Sequence, residues 1–151
     1  MIQKIDITDP EHAKAVLDVQ IPSYNIEAYI IGYQDIPPLK DTVESLQRCG
    51  EIFFGYYCGK KLCGVISVKL EKNVLDIHRL IVHPQYFKKG IAGELLSFIE
   101  TYMDNIDTIC VSTASNNAPA IQFYTKNGFS KLEEIRVNEQ LSLTSFNKLL
   151  Q

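Results

Sequence analysis

At 151 residues, 46% of them apolar and 22% charged, the chain has the length and balance of one globular domain able to bury a full core. Its net charge of −3 argues against nucleic acid as the main partner, and no apolar run approaches membrane-span length. The opening residues Met1–Asp6 do not read as a signal peptide, so the cytoplasm is the expected location.

Ile2 to Ile7 alternates loosely as a first strand. Thr8-Asp9-Pro10-Glu11 follows with capping-box spacing and a proline in the first turn, which predicts a helix with Ala13, Val16, Leu17 and Gln20 on one face. Pro22 is expected to end or kink it. Residues 22–39 hold Tyr24, Tyr29, Tyr33, Ile30, Ile31, Ile36, Pro37 and Pro38, too apolar for a solvated linker. A short helix and a loop lying over the sheet are expected there, walling a pocket or packing into the core. Lys40–Arg48 reads as a second helix with Val43, Leu46 and Gln47 as its face and Gly50 as its stop.

Ile52–Cys58, Leu62–Leu70 and Val74–Val82 read as three strands, the second with alternating faces. The turns Gly59-Lys60-Lys61 and Glu71-Lys72-Asn73 are short enough to make them a sequential antiparallel meander. A helix over 91–104 follows, with Leu95, Leu96, Ile99, Tyr102 and Met103 on one face. Thr108–Ser112 is a short buried strand, parallel to the strand before that helix because a crossover separates them. Asn117 caps the next helix, Pro119 sits in its first turn and Gly128 closes it. Phe129–Val137 and Glu139–Lys148 form a final strand pair. The four cysteines make no C-x-x-C pair, and His12, His78 and His83 show no ligand spacing, so reduced thiols and no metal are expected. The hairpin at 59–61 brings Cys58 near Cys63, a pair open to oxidation.

Two stretches carry chemistry. In the first, the strand ending Val82-His83-Pro84 runs into Phe87-Lys88-Lys89-Gly90-Ile91-Ala92-Gly93 and then directly into a helix. A helix start offers unpaired N–H donors and the positive end of the dipole, small residues let an anion approach, and the lysines add charge. A pyrophosphate fits such a turn, yet the dinucleotide and P-loop glycine patterns are absent. The second stretch is Asn117-Ala118-Pro119-Ala120-Ile121-Gln122-Phe123-Tyr124-Thr125-Lys126-Asn127-Gly128-Phe129. Asn117 stands at a strand end, where α/β sheets place ligands, and Tyr124 lies two helical turns further along the same face.

Together the stretches resemble the GNAT superfamily of acyl-CoA-dependent N-acyltransferases. The first resembles its [Q/R]-x-x-G-x-[G/A] loop, met at Gly90 and Ala92 but with Phe87 in place of Gln or Arg and Lys88 where many members carry glycine. The second meets every named position of N-x-x-A-x-x-x-Y-x-[K/R]-x-G-F. The match spans about residues 62–130 in the right order. The resemblance implies an α/β (α+β) fold over residues 1–151: a mixed central sheet of six to seven strands, its N-terminal part an antiparallel meander, flanked by about four helices.

It also implies a function, acetyl transfer from acetyl-CoA to a primary amine, more readily a small molecule than a protein. In that reading Leu80, Ile81 and Val82 pair with the pantetheine arm. Phe87, Lys88, Lys89, Gly90, Ile91, Ala92 and Gly93 hold the pyrophosphate, and Asn117, Tyr124 and Lys126 complete the cofactor site. A backbone N–H between Leu80 and Val82 holds the thioester carbonyl. Tyr124 is the general acid: a thiol titrates near about 8.5 and a phenol near about 10, so proton delivery to the departing thiolate is cheap. For the base, Asp76, His78 and water all stay open. Asp76 stands where some members carry glutamate, and an imidazole at His78 suits proton transfer near neutral pH. Asp76 and His78 share a face only if no bulge separates them. Glu51 and Arg79 are further polar candidates. Phe123 reads as core. Dimerisation is usual in the family. A non-catalytic acyl-CoA-binding domain is the second reading, supported by Phe87 and Lys88; a different nucleotide-phosphate protein is the third.

Overall fold

The computed structural model describes residues 1–102 and 104–150. Its strands are β1 (Ile2–Ile5), β2 (Ile52–Cys58), β3 (Lys61–Glu71), β4 (Val74–Val82), β5 (Thr108–Ala114), β6 (Ser130–Arg136) and β7 (Ser142–Leu149). Its α-helices are α1 (Pro10–Ile31), α2 (Val43–Gln47), α3 (Ile91–Tyr102) and α4 (Ala118–Lys126), with 3-10 turns at Pro37–Lys40 and Pro84–Tyr86. The strands form one seven-stranded mixed sheet in the order β1-β2-β3-β4-β5-β7-β6. Neighbours are antiparallel except β4 and β5, which pair in parallel across the α3 crossover.

Helices cover both faces of the sheet. Leu95, Leu96 and Ile99 of α3 and Tyr124 of α4 pack on one face with Phe54, Ile66, Leu75 and Ile109. Val16, Val19, Tyr24 and Ala28 of α1 and Leu46 of α2 pack on the other with Phe53, Val65 and Ile81. Double cover changes the pattern expected for β3: Leu62 through Val68 are all buried, with no solvent-facing side to alternate onto. Gly64 sits where β3 meets α3, and a Cβ there would stand 2.7 Å from Ile91 Cγ2 and 3.3 Å from Leu95 Cδ1. The absent side chain lets the start of α3 lie close over β3.

The N-terminal third differs most from expectation. Asp9, not Thr8, caps α1, its carboxylate accepting from Glu11 N at 2.9 Å, while Thr8 hydrogen-bonds to Asp6. Pro22 neither ends nor breaks the helix, which runs on to Gly32 in the left-handed conformation. The carbonyl that Pro22 leaves without its helical N–H belongs to exposed Asp18, on the solvent side of the helix. The buried stripe Ala13, Val16, Val19, Gln20, Tyr24, Ala28, Ile31 continues straight through the proline and holds the helix together. Residues 22–31, expected to be irregular, are therefore regular helix, and the 3-10 turn is the short helix of the remainder. The second helix shrinks to Val43–Gln47 because Pro37 and Pro38 precede it and the Thr42–Ser45 capping box fixes its start. At the other end β6 begins at Ser130 and β7 at Ser142, and β7 inserts between β5 and β6. α3 is described to Tyr102; Met103, expected on its face, lies outside the described residues. All four cysteines are free thiols, Cys63 buried and Cys58 exposed.

Candidate active site

β4 and β5 pair only from Val74↔Thr108 to Ile77↔Val111. Beyond that point β4 stays with β3 as far as Val82, and β5 stays with β7 as far as Ala114. The sheet opens between them, and a cavity lies to either side of the opening. One, of about 440 Å³, runs from the opening to the start of α3; the other, of about 310 Å³, lies toward the loop after α1. Four residues wall both: Glu27, Leu80, Ala120 and Tyr124.

The first cavity gathers most of the residues expected to hold a cofactor. Leu80, Ile81, Val82, Phe87, Lys88, Gly90, Ile91, Ala92, Gly93, Asn117 and Tyr124 all line it. Lys89 and Lys126 do not; the Lys89 ammonium lies 5.7 Å over the Tyr86 ring, and Lys126 is exposed in the last turn of α4. Phe123, expected in the core, is only half-buried and forms part of the cavity wall. The floor is backbone. From Lys88 to Gly93 no N–H finds an acceptor among the described residues, and no side chain caps α3. A Cβ built on Gly90 or Gly93 meets nothing within 4 Å. Lys88 and Gly90 both have positive φ, 63° and 78°, which curls successive amides toward the same space. Lys88 thus occupies a conformation that glycine would take without strain.

Tyr124 lies on the buried face of α4, its ring 5.3 Å from those of Phe123 and Phe129. Its hydroxyl has no hydrogen-bond partner among the described residues, yet it is not sealed away, since no buried polar atom there lacks a partner. The hydroxyl therefore opens into the cavities. Burial pushes the phenol above its ordinary range, and the negative charge of Glu27 adds to that. Burial likewise raises the Glu27 carboxyl. Asn117 caps α4 through Oδ1, accepting from Ala120 N at 3.2 Å, while its side chain borders the first cavity.

The candidate bases sit on the second cavity's side. β4 carries a bulge: Ser67 pairs with Arg79 and Val68 with Ile77, leaving His78 as the extra residue. The two side chains still meet, with His78 Nε2 3.4 Å from Asp76 Oδ2 and Nδ1 3.4 Å from Glu51 Oε2. His78 lines the second cavity; Asp76 lines neither. Arg79, beside the bulge, is held on three sides: Glu51 at 2.6 Å, Asp41 at 3.0 Å and the Gln20 amide oxygen at 3.1 Å. Gln20 in turn donates to Asp41 and to Pro38 O, and Ser67 donates to Glu51. Arg79 and Glu51 are thus a buried structural clamp joining α1, the loop before α2, β2 and β4.

Sequence reasoning missed Glu27. The expected break at Pro22 removed the helical periodicity that places it on the stripe of Gln20, Tyr24 and Ile31. Helix spacing carried through the proline is the signal that finds it.

A mixed sheet opened between its parallel strands, with bare amides at the following helix start, is the GNAT fold. The crystal structure of PaiA N-acetyltransferase from Thermoplasma acidophilum in complex with coenzyme A superposes with a TM-score of 0.79 at 20% identity, covering 99% of this chain and 98% of that one. The chain belongs to the acetyltransferase (GNAT) domain family, whose model matches residues 49–131. UPF0157 protein YqkA of Bacillus subtilis (strain 168) is 40% identical over 147 residues, 97% of this chain but 43% of that protein. Spermidine N(1)-acetyltransferase of Thermoplasma acidophilum is 31% identical over 98 residues, 64% of this chain and 60% of that protein. The chain thus spans about half the length of the curated relatives it matches. Among the described residues no helix is long and apolar enough to cross a membrane, and no cluster of potential metal ligands occurs.

Proposed function

We propose that this chain transfers an acetyl group from acetyl-CoA to a primary amine by direct attack. The observation that carries the proposal is the meeting of two cavities at Tyr124 and Leu80, in the opening between β4 and β5, with bare amides flooring one of them. The free N–H groups from Lys88 to Gly93, the open space over Gly90 and Gly93 and the Lys88 charge suit a pyrophosphate. Leu80–Val82 have left β5, so their backbone is available to an extended amide-bearing arm. Acetyl-CoA supplies an activated acetyl carbonyl.

The chain's own residues do the rest. A backbone N–H in Leu80–Val82 holds the carbonyl oxygen and stabilises charge that develops on it. Tyr124 stays protonated, because burial disfavours its anion. The same burial makes it a weaker acid than the free phenol of the sequence-based expectation, so its hydroxyl proton passes to the departing sulfur as thiolate charge develops, at a higher cost. Water or His78 takes the proton from the nitrogen, His78 being held between Glu51 and Asp76. Asp76, on the far side of that imidazole, acts through it rather than on the amine.

Thiol release from acetyl-CoA against a panel of amines tests the reading. Tyr124→Phe is expected to lower kcat by roughly 10²- to 10⁴-fold, with acetyl-CoA affinity by calorimetry unchanged. Tight acetyl-CoA binding with no amine acetylated would instead identify a domain that only holds the thioester.

A further inference from the structure

Glu27 is the one carboxylate that reaches the point where the two cavities meet. It lies half-buried on α1 one turn after Tyr24, beside the buried stripe, and walls both cavities together with Tyr124. It makes no ion pair or hydrogen bond with any described residue. Every other acid near the second cavity is committed: Glu51 to Arg79, Ser67 and His78, Asp41 to Arg79, Gln20 and Ser45. Neither Glu51 nor Asp41 lines the cavity. The one full positive charge in its wall, Arg79, is neutralised by the same two carboxylates. Beyond the junction the walls are mostly apolar, formed by Ile31, Ile36, Val111, Leu141 and Leu143, with Ser112 and Thr113 as uncharged polar members beside His78 and Arg79.

A half-buried carboxylate without a partner is costly unless a cation arrives to match it. A single carboxylate at the mouth matches a single ammonium. A largely apolar chamber of about 310 Å³ behind it has no second carboxylate among its lining residues for a further charge. We infer that Glu27 receives the ammonium of the acceptor, and that the acceptor is a primary monoamine with an apolar body rather than a di- or polyamine. The inference rests on the amine-acetylation reading above and adds to it the substrate class. It also separates this chain from the relative named for spermidine.

The test compares hexylamine and 2-phenylethylamine with 1,4-diaminobutane and spermidine, using the full chain. Wild type is expected to prefer the monoamines by at least tenfold in kcat/KM. Glu27→Gln is expected to raise the monoamine KM at least tenfold while the acetyl-CoA dissociation constant stays within threefold. It folds at least as stably as wild type at neutral pH, because it removes a charge that burial disfavours. Glu27→Asp, which keeps the charge, is expected to recover part of the KM loss. Calorimetry of hexylamine binding to the chain saturated with coenzyme A gives a readout independent of turnover, and Glu27→Gln should weaken that binding to the same degree. Amine acetylation that is indifferent to Glu27→Gln, or that favours spermidine, overturns this inference and leaves the transferase reading standing. No acetylation of any amine overturns both.

Discussion

Tyr124 and Glu27 are electrostatically one unit. Burial makes the Tyr124 phenol harder to ionise and the Glu27 charge adds to that, so an ammonium seated on Glu27 would lift only the smaller of the two effects. Lys88 is a different residue-scale case. Its φ of 63° strains a residue with a side chain by about 1 kcal/mol, which glycine avoids. Lys88→Gly is therefore expected to raise Tm by about 2–4 °C in thermal unfolding, and to weaken acetyl-CoA binding more at low salt than at high salt, since it removes a charge. The sequence shows Gly90, Ala92, Asn117 and Tyr124 openly because each is a residue type that a loop or cap demands. Glu27 stays hidden because the break expected at Pro22 takes it off the helix, and the pairing of Glu51, Arg79 and Asp41 because their segments meet only after folding.

The element that organises the site is β4. Its first half is locked between β3 and β5, its bulge turns His78 out toward Glu51 and Asp76, and its second half, paired with β3 alone, leaves its other edge to the cavity. Arg79 anchors the bulge from behind. Arg79→Ala would strand two carboxylates and is expected to cost about 3–5 kcal/mol in urea unfolding. The turn after β4 depends on a different support, the missing side chain at Gly64. Gly64→Ala would press on Ile91 and Leu95, with an expected cost of about 1–3 kcal/mol, and on acetyl-CoA affinity as the start of α3 shifts. Pattern reading locates β4, its meander partners and the parallel step to β5, since strand period and connection length dictate them. It misjudges β3, because alternation vanishes when both faces are covered. It also misjudges α1, because a proline penalty is local whereas a seven-residue buried stripe acts along the whole helix.

At the scale of the molecule, helices cover both faces of the central strands, and two tyrosines go into that interior with polar hydroxyls. Burial raises both Tyr24 and Tyr124, with Glu27 adding to each. A phenol raised in the folded state supports the fold fully below the unfolded value of about 10 and withdraws that support as pH climbs toward the folded value. Stability is expected to hold to about pH 10 and then fall by about 1.4 kcal/mol per pH unit for each tyrosine. Urea midpoints at pH 9, 10 and 11 check this, and Tyr24→Phe should make the slope shallower. The uninterrupted α1 has one more consequence. Gln20, Tyr24, Glu27 and Ile31 ride on a single rod, one end bolted to the Arg79 clamp and the other forming the chamber wall. Adding or deleting one residue between Gln20 and Glu27 would swing everything beyond it by about 100°, pulling the acid from the chamber or the amide from the clamp.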